Sequence, residues 1–341
     1  STDGGNSYFK YDRNPIVPST GLNNFRDPKV VYDPIRNRYT MTVARGWDLG
    51  IELWHSTNLM DWQFDGIFRV DIERCNISQW ECCDLMYFAE QDKWVMVVSI
   101  NPNGYITGSA TMYFVGDFDG VTFTPDADDY PRWIDYGADC YAGVTWANAP
   151  DNRKVMIAWM NNWDYAPACP TYIWKCAYTL PRELSLRFIG SHWVLCSEPV
   201  KELEAQSEGW QAGSLPQTTI GTDYADAWQT TMTVSLTEDA VIRLSNDAGE
   251  EYAVFIDAQE RYIYCNRSGK SGQTQFSSLF AVPSMSGPIE GDGNSLYLDI
   301  VVDQSSVEVF ADHGATCFTN TVYPKSIYRI LTVNGQVYDL K

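Results

Sequence analysis

Arg38-Tyr39-Thr40-Met41-Thr42-Val43, Lys93-Trp94-Val95-Met96-Val97-Val98 and Lys154-Val155-Met156-Ile157-Ala158-Trp159 are three runs of one character, each preceded by a turn rich in Asp, Asn or Gln. Their β-branched and aromatic residues predict strands, and their starts lie 55 and 61 residues apart. A four-stranded unit with its loops, returning at about this interval, is the signature of a propeller blade. Helical periodicity is nearly absent, and Asn, Asp, Gly and Pro clusters punctuate the other short runs. Ser56-Thr57-Asn58-Leu59-Met60-Asp61-Trp62 follows the first run as the outer part of its unit. Ser1-Thr2-Asp3-Gly4-Gly5-Asn6-Ser7-Tyr8-Phe9 has the same character 55 residues earlier. A propeller closes only when every blade has two neighbours, so this repeat predicts a start within a blade and further blade sequence upstream.

Blade-like spacing stops near Glu202-Leu203-Glu204-Ala205-Gln206-Ser207, and a stretch containing Gly and Ser runs to Gly213-Ser214-Leu215-Pro216. Beyond it, Leu296-Tyr297-Leu298-Asp299-Ile300-Val301-Val302 and Ser306-Val307-Glu308-Val309-Phe310 alternate more strictly, as strands of a sandwich do. The expected organisation is all-β, with a propeller over residues 1–204 and a β-sandwich over residues 205–341.

Composition narrows the function. Twenty-four Lys and Arg stand against 44 Asp and Glu, a formal charge of -20, which repels a phosphate backbone and argues against a nucleic-acid partner. No stretch has the roughly 18 uninterrupted apolar residues of a membrane helix, so no membrane partner is expected. Aromatic residues make 14% of the chain. Together with many carboxylates they suit sugars, whose C–H faces stack on rings while hydroxyls bond to Asp and Glu; filling a β-rich core is the competing use. Nine cysteines include no C-x-x-C pair, and a disulfide between adjacent Cys82 and Cys83 would be strained, so buried thiols are expected. His55, His192 and His313 are isolated and have no metal-ligand spacing; neither a metal nor an organic cofactor is predicted. The sequons at Asn76 and Asn266, with the acidic surface, lean toward an extracellular, secreted protein.

Two segments place carboxylates where strand packing does not require them. In Asn24-Phe25-Arg26-Asp27-Pro28-Lys29-Val30, ahead of the first run, Asp27 is expected to point at the propeller axis with Arg26 as its charge partner; a surface turn is the alternative. In Ser78-Gln79-Trp80-Glu81-Cys82-Cys83-Asp84-Leu85, Glu81 lies between Trp and Cys, an apolar setting of the kind that makes a carboxyl group a general acid; a strand-edge glutamate is the alternative.

Arg-Asp-Pro followed by Trp-Glu-Cys one blade later resembles the β-fructofuranosidase family, glycoside hydrolase family 32, which holds invertases, exo-inulinases and levanases. The likeness continues through Gly108–Gly120, Asp135-Tyr136-Gly137-Ala138-Asp139-Cys140-Tyr141-Ala142-Gly143, Trp159-Met160-Asn161-Asn162-Trp163, Leu180-Pro181-Arg182-Glu183-Leu184 and Asp303–Phe310. The resemblance implies a five-bladed propeller, N-terminally incomplete here, followed by a sandwich. It implies Glu81 as acid/base, and Asp27 as the carboxylate that grips fructosyl hydroxyls and stabilises the transition state. The family's nucleophilic Asp belongs to a Trp-Met-Asn-Asp-Pro-Asn-Gly motif that this sequence lacks; Ile100-Asn101-Pro102-Asn103-Gly104 is its nearest imitation and has no Asp. The nucleophile is therefore expected upstream, on missing sequence or on a companion fragment of the same protein. Cys83 replaces a usual Pro, and Ile173-Trp174-Lys175 a usual Pro-Trp-Arg.

Expected sugar contacts are Arg26, Trp80, Cys82, Asp135, Tyr136 and Trp163, with Cys82 ordering Glu81; Trp47 and Asp48 are weaker candidates. The implied reaction is release of terminal β-fructose from a fructan (inulin, levan) or from sucrose, with retention by double displacement. Transfer of fructose to another sugar, and fructan binding without turnover, are the alternatives.

Overall fold

A computed structural model describes residues 1–19, 21–126, 130–205, 210–211, 217–220 and 227–339. The first sheet contains β1 (Arg26–Asp33), β2 (Arg38–Ala44), β3 (Ile51–Ser56) and β4 (Gln63–Phe68), paired in chain order and antiparallel throughout. The second repeats this plan with β5 (Gln79–Phe88), β6 (Lys93–Asn101), β7 (Ala110–Phe118) and β8 (Phe123–Pro125), while the short β9 (Arg132–Trp133) also pairs with β7. The third has β10 (Tyr141–Thr145), β11 (Val155–Met160), β13 (Arg182–Ile189) and β14 (His192–Pro199), with β12 (Ala177–Tyr178) on the other end of β11. The three runs that opened the sequence reading are β2, β6 and β11, the second strand of each sheet. Three blade-like sheets are present among the described residues, of the five that the resemblance implies.

Packing explains why the middle run is apolar at nearly every position. Side chains alternate across a strand, so a strand covered on both faces must be apolar on both. Met96, Val98 and Phe114 pack against Ala44, Ile51 and Leu53 of the first sheet. Val95, Val97 and Val115 pack against Met156, Ala158 and Leu186 of the third.

The remaining strands form two six-stranded sheets. One orders Trp210–Gln211, Gln217–Ile220, Trp228–Ser235, Ser295–Asp303, Ser306–Ala311 and Thr316–Thr321; the other orders Val282–Pro288, Tyr262–Arg267, Glu251–Asp257, Ala240–Ser245, Ile330–Val333 and Gln336–Asp339. Glu251–Asp257 alternates buried and half-buried residues along its whole length, and Val254 and Ile256 meet Leu298, Ile300 and Val307 in one core. Between the two halves lies a short helix, Glu202–Ala205; part of the linker expected there, including Gly213–Pro216, falls outside the described residues.

The two Ser-led segments singled out in the sequence both close turns. Ser56 Oγ accepts the backbone N–H groups of Asn58 and Leu59, and Ser1 Oγ those of Asp3 and Gly5.

Candidate active site

The inner strand of each blade-like sheet carries a β-bulge at the same place. The register slips between Arg26 and Lys29 in β1, between Glu81 and Asp84 in β5, and between Tyr141 and Val144 in β10. The residue that follows the last paired one is left-handed in all three, with φ of 57° at Asp27, 47° at Cys82 and 55° at Ala142. Such a bulge inserts one residue, bends the strand and re-aims the side chains beside it. Non-glycine residues are strained there, and strain of this kind gathers at functional sites.

Arg26, Glu81 and Tyr141, the residues immediately before the three bulges, converge. Arg26 Nη2 lies 3.4 Å from Glu81 Oε1, and the Tyr141 hydroxyl donates to Glu81 Oε2 in a very short contact. Gln79 Nε2 adds a hydrogen bond of 2.6 Å to Oε1 and is itself held through Asn24. The Glu81 side chain keeps 14% of its surface exposed, so the carboxyl group is sheltered and still reachable. Burial, and then the bond to Glu81, push the Tyr141 hydroxyl well above the usual phenol range, so it remains a donor.

Asp27 sits beside this cluster and ties the first two sheets together. Its Oδ2 accepts the Cys82 backbone N–H at 3.0 Å and lies 3.7 Å from Cys82 Sγ. One step outward, Lys29 Nζ pairs with Asp84 Oδ2 at 3.0 Å, and the same oxygen accepts from the Thr145 N–H and hydroxyl. The inner strands of all three sheets are thus crosslinked directly beneath the site.

Several expected roles change. Arg26 is the charge partner of Glu81 rather than of Asp27, because the bulge turns the two neighbours in different directions. Cys82 orders Asp27, not Glu81. Burial first, and then the negative charges of Asp27 and Glu81, raise its thiol above the usual range, so it stays neutral. Trp80 is not a sugar contact: it is 1% exposed and packs between Phe68 and Phe114 at ring distances of 6.3 and 6.4 Å.

Asp135 and Tyr136 are likewise diverted, into the junction between propeller and sandwich. Asp135 Oδ1 accepts the N–H groups of Gly137 and Thr319, and Oδ2 accepts from Arg182 at 2.9 Å and from the Thr319 hydroxyl at 2.6 Å. Those bonds satisfy a carboxylate that is 3% exposed. Gly137 completes the fit, since a Cβ there would stand 2.3 Å from the Thr319 carbonyl oxygen. Tyr136 stacks edge-on against Tyr105 and lies near Phe318.

Trp163 remains at the surface, 54% exposed, its ring 5.0 Å from that of Trp159, which is 6.1 Å from Tyr141. Trp47 is also exposed, whereas Asp48 is held by Arg45 and Arg69. Tyr141 and Gln79 are the site residues that sequence reasoning missed. The signal for Tyr141 was its phase, 60 residues after Glu81 and at the same place in its sheet. Among the described residues no group of three or more His, Cys, Asp or Glu is arranged to hold a metal ion. All nine cysteines are free thiols, seven of them buried.

A half-exposed arginine, a sheltered carboxyl group with a phenol donor, and a second carboxylate one bulge away can supply proton transfer and grip hydroxyl groups. Over its length the chain is 31% identical to a levanase of Bacillus subtilis (strain 168), covering 95% of this chain and 50% of that protein. It is 32% identical to an extracellular exo-inulinase of Aspergillus awamori, covering 100% of this chain and 69% of that one. The chain thus spans half to about two thirds of the length of these relatives. The crystal structure of the Aspergillus awamori exo-inulinase superposes with a TM-score of 0.83 at 30% identity, over 96% of this chain and 69% of the other. A β-fructofuranosidase from Schwanniomyces occidentalis shares the fold, with a TM-score of 0.79 at 24% identity over 99% of this chain and 73% of the other. Residues 1–199 match the glycosyl hydrolases family 32 N-terminal domain and residues 199–337 the family's C-terminal domain, so the chain belongs to glycosyl hydrolase family 32.

Proposed function

We propose that this chain provides the acid/base half of a fructosidase that releases terminal β-D-fructose from inulin, levan or sucrose with retention of configuration. The observation that carries the reading is the meeting of Arg26, Glu81 and Tyr141 at three equivalent bulges. In a retaining reaction one carboxyl group protonates the leaving oxygen and later takes a proton from water, while another attacks the anomeric carbon. Glu81 has the first role, and Tyr141 and Gln79 hold its oxygens in place. Asp27 grips ring hydroxyls, and a grip that tightens as the ring flattens toward an oxocarbenium ion lowers the barrier. The nucleophile is not assigned to any carboxylate of these 341 residues. Names of the relatives, levanase and exo-inulinase, support a fructan substrate. The extracellular relatives also support secretion, and Asn76 is exposed enough to carry a glycan.

The test is fructose release by the whole protein, with the sequence that bears the nucleophile, and by its Glu81→Gln variant, with the anomer of the first product followed by NMR. The expected result is β-fructose first, and a rate about 10²- to 10⁴-fold lower in the variant, the usual share of general acid–base catalysis. An unchanged rate would remove Glu81 from the reaction. Fructan binding with no turnover by the whole protein would replace the hydrolase reading with that of a binding protein.

A further inference from the structure

Two of the bulges at the site are approached differently. β5 pairs Gln79 and Trp80 with β6 before it reaches Glu81, so its own sheet fixes that approach. β10 begins at Tyr141, which is its first pairing with β11. The segment that leads to Tyr141 is held by the sandwich instead. The N–H groups of Tyr136 and Asp139 donate to the carbonyls of Cys317 and Thr319 at 2.7 and 3.1 Å, so this segment runs along the sandwich edge strand Thr316–Thr321. Asp139, two residues before Tyr141, is fully buried and pairs through Oδ2 with Arg267 of the sandwich. The Thr321 N–H and hydroxyl donate to the same oxygen at 2.9 and 3.1 Å, and the Tyr165 hydroxyl donates to Oδ1. Arg267 is itself fixed: Nε donates to the Phe280 carbonyl and Nη2 to the Tyr165 hydroxyl, each at 2.9 Å, with the guanidinium over the Phe280 ring. A planar fork held in this way is a rigid reference point, which a flexible ammonium group would not be.

We propose that Arg267 is a positioning residue for the acid/base: through Asp139 it sets where β10 begins, and so keeps the Tyr141 hydroxyl on Glu81 Oε2. The proposal rests on Glu81 being the acid/base. Joining the two domains does not by itself call for this arginine, because Arg182 already joins them at Asp135, six residues before Tyr141. Only one residue separates Asp139 from Tyr141, and beyond Tyr141 the left-handed Ala142 interrupts the pairing until Val144. A displacement of Asp139 therefore passes to the phenol with little to absorb it. A misplacement of about 1 Å that begins far from the chemistry can cost on the order of 100-fold in rate. The sandwich, on this account, supplies part of the geometry of the site as well as a cover for the propeller.

The test is a double-mutant cycle between Arg267→Lys and Tyr141→Phe in the whole protein, with the sequence that bears the nucleophile, read as kcat and KM for sucrose per folded molecule. Arg267→Lys keeps a charge beside Asp139 and loses the fork. Tyr165→Phe removes one hydroxyl from the same cluster, keeps the ring, and carries the cycle if the lysine variant does not fold. Arg267→Lys is expected to lower kcat about 10-fold with KM within about twofold, and to cost nothing further in the Tyr141→Phe background. Tyr165→Phe is expected to show the same pattern with a smaller loss. A merely structural role leaves the losses independent, so losses that multiply with that of Tyr141→Phe overturn the proposal, as does an unchanged kcat in both variants. Crystal structures of the same variants read the placement without turnover. The Tyr141 hydroxyl is expected to have left Glu81 Oε2, and an unchanged contact overturns the proposal. Absence of turnover in the unaltered whole protein would refute the hydrolase reading alone, because the placement is read without it.

Discussion

Glu81 and Asp135 each lie next to an aromatic residue, each has an arginine partner, and each stands at the start of a blade-like unit, yet they end in opposite surroundings. Glu81 is reached from solvent, and its arginine is 43% exposed. Asp135 and Arg182 are sealed, with Glu308 as a second anion, Thr319 filling the remaining hydrogen-bonding positions and the Phe310 ring 4.9 Å from the guanidinium. A second sealed set repeats the plan beside it: Arg267 pairs with Asp139, which also accepts from the Thr321 N–H and hydroxyl, and its guanidinium lies 3.9 Å from the centre of the Phe280 ring. The difference is one of remaining capacity. A carboxylate whose lone pairs are all answered by protein holds two domains together, whereas one that keeps solvent access can receive a substrate.

The strongest way to break this comparison is at Arg182. Arg182→Met leaves Asp135 and Glu308 buried together without a cation, and removing one partner of a buried pair costs about 3–5 kcal/mol. The expected outcome is a large loss of stability in chemical denaturation, with the activity per folded molecule retained. A variant as stable as the parent but inactive would move the Asp135 cluster into the site.

Tyr141→Phe sharpens the other side. It removes only the hydroxyl that donates to Glu81, and a hydrogen bond to a charged group is worth about 1.5–3 kcal/mol. A fall in kcat of roughly 10- to 100-fold is expected, with KM for sucrose changed much less, because the phenol bonds to Glu81, which on the proposed reading is the acid/base, and not to the sugar. A rise in KM alone would show that Tyr141 touches substrate.

The repeat made most of the fold legible. β2, β6 and β11 stood out by their spacing and the turns that lead into them, and β6 also because a strand covered on both faces must be apolar at successive positions. Asp27 and Glu81 were legible as motifs. Tyr141 was not, since a tyrosine in Asp-Cys-Tyr-Ala-Gly has no evident chemistry until three bulges are aligned. Asp135 was misread for a different reason. Its partners Arg182 and Thr319 lie 47 and 184 residues away, so no local pattern separates a carboxylate facing a substrate from one facing another domain.

Trp80 gives the smallest effect and the cleanest contrast with Trp163. Both indoles stood as sugar contacts in the sequence, and only Trp163 reaches the surface. Trp80 Nε1 is buried with no hydrogen-bond partner among the described residues, so the ring contributes volume and not a donor. Trp80→Phe keeps an aromatic ring against Phe68 and Phe114 and removes that unanswered N–H, which offsets part of the lost packing. A cost of under about 1.5 kcal/mol is expected, the range of tolerated hydrophobic swaps, with fructan affinity unchanged. A loss of affinity at constant stability would return Trp80 to the sugar site and show that burial in the free protein does not separate the two tryptophans.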